Sequence, residues 1–482
     1  MQELWLMSNP FTSSAAFCAL IFCVPAVAPA QTGLPDAPQT HLLLAAAQQA
    51  PQMPASPAQA TPAAGANAVP AGQPAGPTLT IEQAEQMALR NNPNISVARL
   101  LALAQGQVTR EVRSAELPMA GANLTAVDAH TGSRITGGGT LNSPRILNKA
   151  AAGLTVSQLI TDFGKTHNLV RSAQSNAQAE LENQRATELD IKLAVDQAFY
   201  QALTTQAVLK VAQQTRAQRQ ATDDQVGALT KSNVKSQLDL SFADVQVSQA
   251  NLLLLDAENN EQVAMAALNN VLGSDQDQQY TLVDETGGSL PPAPTDAEPL
   301  IDAAFRQRPD LASLNDRYLA AQQYSRAERD QWFPTISALA DGGGTPVRDN
   351  LIQSSWYMGA GVNMSIPVFN GFLYSAEIKE SRFRASAAQE QVRNLRDIIA
   401  RDVRTAVLNA QTAFQRIGVT QAMLDQANLA LDLAQARYKI GLSSIVELTQ
   451  AQLTQTQAEI ENTNARYAYQ TALAELRYEL GQ

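Results

Sequence analysis

Arg437-Tyr438-Lys439-Ile440-Gly441-Leu442-Ser443-Ser444-Ile445-Val446-Glu447-Leu448 decides the fold of this chain. It lies between two long proline-free runs and holds their one clear break in helical pattern. Gly441 supplies the left-handed backbone that lets a helix stop and the chain reverse. Ser443 and Ser444 offer oxygens to cap the next helix, and Glu447 follows Ser444 at capping-box spacing. The stretch is the tip of a very long helical hairpin.

The tip occurs twice. Asn233-Val234-Lys235-Ser236-Gln237-Leu238-Asp239-Leu240 aligns with Gly441 to Leu448 without a gap. Asn233 stands for Gly441, and Asn is the residue other than glycine that best tolerates positive φ. Ser236 matches Ser444, Asp239 matches Glu447, and the register holds to Leu272-Gly273 and Leu480-Gly481. The chain is a tandem duplication.

Other features repeat in the same order. A short helix capped by Thr80 runs through Arg90 to Asn92-Pro93. A second helix, from about Ile95 to Glu116, ends at Leu117-Pro118. Ile301 to Arg308, Pro309 and a helix to Phe333-Pro334 restate the pattern. After each second proline the period changes to two. In residues 356–366, Trp356, Met358, Ala360, Val362, Met364 and Ile366 share one face. Tyr357, Gly359, Gly361, Asn363 and Ser365 share the other, as in a strand with one apolar and one polar side. Thr335 to Ala340 is its expected partner across a glycine-rich loop from Asp341 to Gln353. Ala120 to Ala129 and Ala151 to Leu159 are the first-copy pair, around His130 to Lys149. Taken singly, such a pair reads equally well as a soluble hairpin.

Gly164 and Gly371 then open the long helices, each roughly 100 Å at about 1.5 Å per residue. Ile191, Val195, Ala198, Ala202, Thr205 and Leu209 recur at heptad-like spacing, with small members that let helices approach closely. These are elongated coiled-coil elements. The expected organisation is an export signal over 1–30, a disordered Ala/Pro/Gln-rich lead-in over 31–77 and a first repeat over 78–273. A linker over 274–296 and a second repeat over 297–482 follow. The strand pairs fall at about 119–160 and 335–367.

Composition narrows the function. The 482 residues carry a formal charge of −11, 5% aromatics, 2 Cys and 3 His. That argues against a disulfide framework, a His/Cys metal centre and a nucleic-acid partner. Cys18 and Cys23 lie in the apolar run that ends at Ala28-Pro29-Ala30, a small-residue cleavage pattern, with Met7 as an alternative start. His41, His130 and His167 are expected at the surface. No phosphate loop, nucleophile–base pair or cofactor motif is present, so no enzymatic activity is expected. Four strands cannot close a barrel, and open edges in hydrocarbon leave backbone groups unpaired at several kcal/mol each. The physical solution is a barrel shared between copies, whose number the residues leave open.

These features resemble the TolC family of outer-membrane efflux and secretion channels over roughly Leu79 to Gly481. Ala88 to Pro93, the duplicated helix–proline–strand order, Phe369-Asn370-Gly371 and the Tyr438 to Leu448 tip carry the resemblance. It implies a mainly α fold with a membrane β-barrel part. Tandem coiled-coil hairpins and four strands per protomer would build a trimeric α/β barrel of twelve strands in the outer membrane, with the helical tunnel in the periplasm. It implies a homotrimer surrounded by lipid and docked to a periplasmic adaptor and an inner-membrane pump. The function implied is the exit duct of a tripartite pump expelling drugs and other small molecules. A duct for protein secretion and a purely structural periplasmic coiled coil are the alternatives.

The resemblance also implies site residues. Asp239 and Glu447 match the acid that lines the closed end of the tunnel, where a ring of like charge attracts cations and resists anions. Both acids also read simply as helix caps. The docking tips are Asn233, Val234 and Lys235 with Gly441, Leu442 and Ser443. Ser443 replaces a basic residue that holds some family tips shut, and Lys235 is the available substitute. Trp356 and Tyr357 are candidate membrane-interface anchors, or contacts between protomers.

Overall fold

The computed structural model describes residues 77–128, 149–274, 278–284, 290–347 and 354–482. The export signal, the lead-in except Pro77, both cysteines, His41 and His130 lie outside the described residues. So do residues 129–148 around the first glycine-rich loop and 348–353 of the second.

Each repeat opens with two helices broken by a proline. In α1 (Ile81–Asn91), Thr80 and Gln83 form a reciprocal capping box, with the Gln83 amide donating to Thr80 Oγ1 at 3.3 Å. Asn92 caps α2 (Pro93–Ser114) by accepting from the Asn94 amide at 3.0 Å. The helix therefore begins on Pro93 rather than at Ile95. Proline lacks only an N–H that the first turn would leave unpaired anyway. The connector returns through β4 (Thr281–Leu282), which pairs in parallel with β1 (Thr78–Leu79), a contact the sequence reading missed. α5 (Glu298–Gln307) and α6 (Pro309–Asp330) repeat α1 and α2.

β2 (Met119–Val127), β3 (Lys149–Thr161), β5 (Thr335–Val347) and β6 (Trp356–Ser365) form one antiparallel sheet in the order β2-β3-β5-β6. The expected loop from Asp341 to Gln353 is shorter than the sequence suggested. β5 runs straight through Gly342, Gly343 and Gly344, which pair with Met358, Tyr357 and Trp356. The Tyr357 side chain lies over the middle glycine and over Gly153 of the neighbouring strand. A Cβ on Gly343 would come within 2.7 Å of the Tyr357 hydroxyl, and one on Gly153 within 2.1 Å. Tyr357 thus supplies cross-strand packing that Gly343 and Gly153 lack.

The long helices match in length between repeats. α3 (Lys165–Lys231) and α7 (Leu373–Lys439) have 67 residues each, and the return helices α4 (Gln237–Val271) and α8 (Ile445–Glu479) have 35 each. At about 1.5 Å per residue the long helices extend roughly 100 Å. The expected seam is in place: Ile191, Val195, Ala202 and Thr205 are buried. Most of the core is thin and alanine-rich, as close helix approach requires. Larger side chains thicken it where α1 meets α3 and α4, with Ala84 and Ala88 against Val195, Phe199 and Leu268. Ile301 and Ala304 of α5 meet Ile399, Val403 and Leu476 in the same way. Phe199 is 1% exposed, and truncating so buried a ring to alanine typically costs about 3–5 kcal/mol.

Candidate functional site

Two features of this scaffold hold the candidate site residues: the paired helix tips and the two faces of the sheet. At the first tip Asn233 takes φ 58°, and at the second Gly441 takes φ 78°. Val234 donates its amide to the Leu229 carbonyl at 2.9 Å, and Leu442 donates to Arg437 at 2.9 Å. Both turns close the orphaned carbonyls of a long helix identically. Val234 and Leu442 remain 66% and 68% exposed, and Ile440 beside Leu442 is 70% exposed, so both turns present large apolar side chains.

The caps differ. Ser236 and Asp239 form a full capping box, Asp239 N–H to Ser236 Oγ at 3.1 Å and Ser236 N–H to Asp239 Oδ2 at 3.2 Å. In the second tip only half of it forms. Ser444 accepts from the Glu447 amide at 3.3 Å, while the longer Glu447 side chain swings to Arg437 at 3.6 Å. The expected capping box at Glu447 is thus an ion pair. Asp239 and Glu447 occupy equivalent places on the two return helices.

The tips are packed together. Tyr438, Leu431, Ile445 and Leu448 of the second hairpin enclose Val226 and Ala243 of the first. Lys235 places Nζ 4.3 Å over the Tyr438 ring. The Tyr438 hydroxyl is buried without a hydrogen-bond partner. Burial, with the Asp239 carboxylate adding to it, raises its pKa. Ser443 Oγ is also buried without a partner. Tyr438, which packs the two tips together, is not among the site residues expected from the sequence, although its place three residues before the tip glycine was a usable signal.

In the sheet, register sorts the side chains. Leu124, Ala152, Gly344 and Trp356 form one cross-strand row. Ala122, Leu154, Gly342 and Met358 form the next, and Ala120, Val156, Ala340 and Ala360 a third. Leu124, Leu154, Met358, Val362 and Met364 on this face are exposed in the single chain. The opposite face carries Asn123, Thr155, Ser157, Ser337, Asp341, Asn363 and Ser365. Asn123 Nδ2 donates to Thr155 Oγ1 at 3.3 Å across it. Trp356 lies on the apolar face and Tyr357 on the polar one. β2 and β6 are open edges. Among the described residues no helix is long and apolar enough to cross a membrane, and no group of acids, His or Cys is arranged to hold a metal.

A sheet with one lipid-compatible face and one wet face, carried on paired 67-residue helices, defines a channel subunit of the outer membrane. The chain belongs to the outer membrane efflux protein family, whose model matches residues 84–274 and 300–482. It is 24% identical over 405 residues to outer membrane protein TolC of Escherichia coli (strain K12), covering 80% of this chain and 79% of that protein. It is 25% identical over 401 residues to outer membrane protein OprJ of Pseudomonas aeruginosa, covering 82% of each. The fold matches the crystal structure of the Campylobacter jejuni CmeC outer membrane channel with a TM-score of 0.72 at 17% identity, over 83% of this chain and 85% of that one. Members of this family are channels, and the protein resides in the cell outer membrane.

Proposed function

We propose that three copies of this chain form the exit duct of a tripartite pump that expels small molecules across the periplasm and outer membrane. The observation that carries the reading is the four-stranded sheet, whose two faces are sorted for lipid and water while both its edges are free. Three such sheets joined edge to edge close a barrel of even strand number, and closure satisfies the backbone that hydrocarbon would strand. The helices continue the lumen into the periplasm. Trp356, on the lipid face, anchors the barrel at the membrane interface, whereas Tyr357 faces the lumen.

At the periplasmic end, the exposed Val234 and Leu442, with Asn233, Lys235, Gly441 and Ser443, form the surface on which the adaptor hairpins dock. Asp239 and Glu447 from three copies line the constriction and favour cations. The duct is passive; the inner-membrane pump supplies energy and selects the cargo. Deleting the gene should raise cellular accumulation of a fluorescent efflux substrate, and the purified protein should run as a heat-sensitive trimer in detergent gels. Unchanged accumulation together with a monomeric particle would reject the reading.

A further inference from the structure

Within the chain, α3 and α8 share an antiparallel seam that is closed near the tips and bordered by a groove farther from them. Val226 and Ile445 meet in the tip cluster, Arg219 Nη1 donates to Gln452 Oε1, and Thr215 Oγ1 lies 3.4 Å from Thr456 Oγ1. Arg219 is 4% exposed and Gln452 is 2% exposed, and Gln452 Nε2 donates to Thr222 Oγ1 at 3.3 Å. Among the described residues no carboxylate pairs with Arg219, and burial lowers its pKa to about 10. Sliding α8 along α3 would strip this buried cation of its acceptor, so the register is fixed. Beyond Thr215 and Thr456, α3, α4 and α8 enclose a groove of about 490 Å³. That lies within the size range of small-molecule sites, and packed helices preform its walls.

The groove is on the far side of the wall from the short helices. Val195, Phe199 and Leu203 of α3, with Met265 and Leu268 of α4, carry α1 and β1 on one side. Gln201, Thr204 and Val208 recur at helical spacing on the opposite face of α3 and line the groove. Asn260, Val263 and Ala267 of α4 and Ile460 and Asn464 of α8 join them. A duct walled by α3, α4 and α8 keeps the layer of α1 and β1 outside, so the groove opens on the lumen.

Its lining is mixed and uncharged. Gln201, Asn260 and Asn464 bring amides that make no hydrogen bond among the described residues. Thr204 donates its hydroxyl to the Tyr200 carbonyl at 2.7 Å and keeps a lone pair for an incoming donor. The repeat places Arg416 where α3 has Val208 and Glu475 where α4 has Ala267, and α4 carries Asp256 where α8 has Asn464. The equivalent surface is therefore charged, and this one is not. We propose that the groove is a resting site for uncharged amphiphiles of drug size inside the duct, one per chain. Their apolar bodies lie against Val208, Val263 and Ile460, and their carbonyl and hydroxyl groups bond to the three amides. The site rests on the exit-duct reading and adds a chemical class to it. Roughly 35 Å of α3 separates Val208 from the tip, several screening lengths from the tip acids.

Tritiated chloramphenicol, a neutral amphiphile with hydroxyl, amide and aromatic groups, tests the site on the protein in lipid nanodiscs. Equilibrium dialysis should show saturable binding that approaches one molecule per chain and that excess ethidium, a cation, does not displace. Val208→Arg with Ala267→Glu transplants residues that α7 and α8 already carry at these places. It should weaken binding roughly tenfold or more, because two new charges fill an apolar wall. Asn260→Ala, which copies Ala468 of the second repeat, should weaken binding severalfold. Uptake that never saturates, or that is equal in wild type and both variants, would overturn the site. Displacement by ethidium would overturn the class assigned to it. Trimers that conduct ions in planar bilayers yet bind no chloramphenicol would remove the groove and spare the duct. A monomer that does not conduct would instead strike the duct reading itself.

Discussion

Lys235 stands over the ring of Tyr438 with its ammonium 4.3 Å from the centroid, tying the first hairpin tip to the second. A cation over an aromatic face is worth about 0.5–1 kcal/mol at an exposed site. Lys235→Met should therefore raise the population of separated tips roughly two- to fivefold, read as more frequent single-channel openings. Lys235→Arg should keep the wild-type frequency. Tyr438→Phe removes only an unpartnered hydroxyl, so its thermal stability should be unchanged or slightly higher. Equal opening frequencies in Lys235→Met and wild type would show that the contact does not restrain the tips.

The two tip acids should be separable from their capping role. Asp239→Asn with Glu447→Gln leaves the Ser236 and Ser444 caps in place while removing the charge. Block of the channel by multivalent cations in planar bilayers should weaken markedly. Ser236→Ala, by contrast, should cost about 1 kcal/mol of stability without relieving the block. Bilayer traces unchanged in the double variant would remove the charge ring.

Gly441→Val forces a β-branched residue to φ 78°. The left-handed region costs such a residue at least about 1–2 kcal/mol, and the turn that presents Leu442 should deform. Adaptor-dependent efflux should fall sharply with trimer yield retained. Asn233→Gly, at the equivalent turn, should be neutral. Normal efflux in the Gly441→Val variant would count against docking at this tip.

Asp196 of α3 should make the packing of α3 against α1 and α8 sensitive to pH. It is 5% exposed, lies 3.5 Å from Arg477 and leaves Oδ1 without a partner. Burial raises its pKa to about 7, Glu85 adds to the rise, and Arg477 and Lys192 oppose it. The folded chain thus binds this proton more tightly than the unfolded chain does. The resulting stability is complete below about pH 4 and is lost as pH rises through about 7. Asp196→Asn should flatten that loss and stabilise the protein by about 1–3 kcal/mol at pH 8. Denaturant midpoints at pH 5 and pH 8 check the sign, and a variant losing stability equally at both would refute it.

Arg219 and Gln452 should respond asymmetrically to truncation. Gln452→Ala leaves a buried guanidinium unpaired and should cost about 3–5 kcal/mol. Arg219→Met keeps the volume and removes the charge, and should be neutral or stabilising. Melting temperatures of the two variants decide the point.

The duplication and the tips were legible because turn chemistry is local. Asn233, Gly441, Ser236 and Ser444 announce themselves through a few neighbouring residues, and the repeat then fixes the order of everything between them. The sheet was harder to read. β5 continues through Gly342 to Gly344, and the Tyr357 hydroxyl from the next strand lies over Gly343, a contact that no scan of β5 alone reveals. Asp239 and Glu447 share a position in the repeat, yet the extra methylene of Glu447 and the presence of Arg437 give them different partners. Arg219 falls in step with Val211, Thr215 and Val226 on the seam. A cation in that stripe was a visible oddity, but its meaning depends on Gln452 arriving from the far end of the chain.

The free edges of β2 and β6 also bear on biogenesis. A lone copy cannot enter the bilayer and then search for company, because its rims would sit in oil with their amides bare. Insertion and oligomerisation must be one event, scheduled by how many copies wait in the aqueous compartment at once. The yield of channels should rise more steeply than the yield of chains.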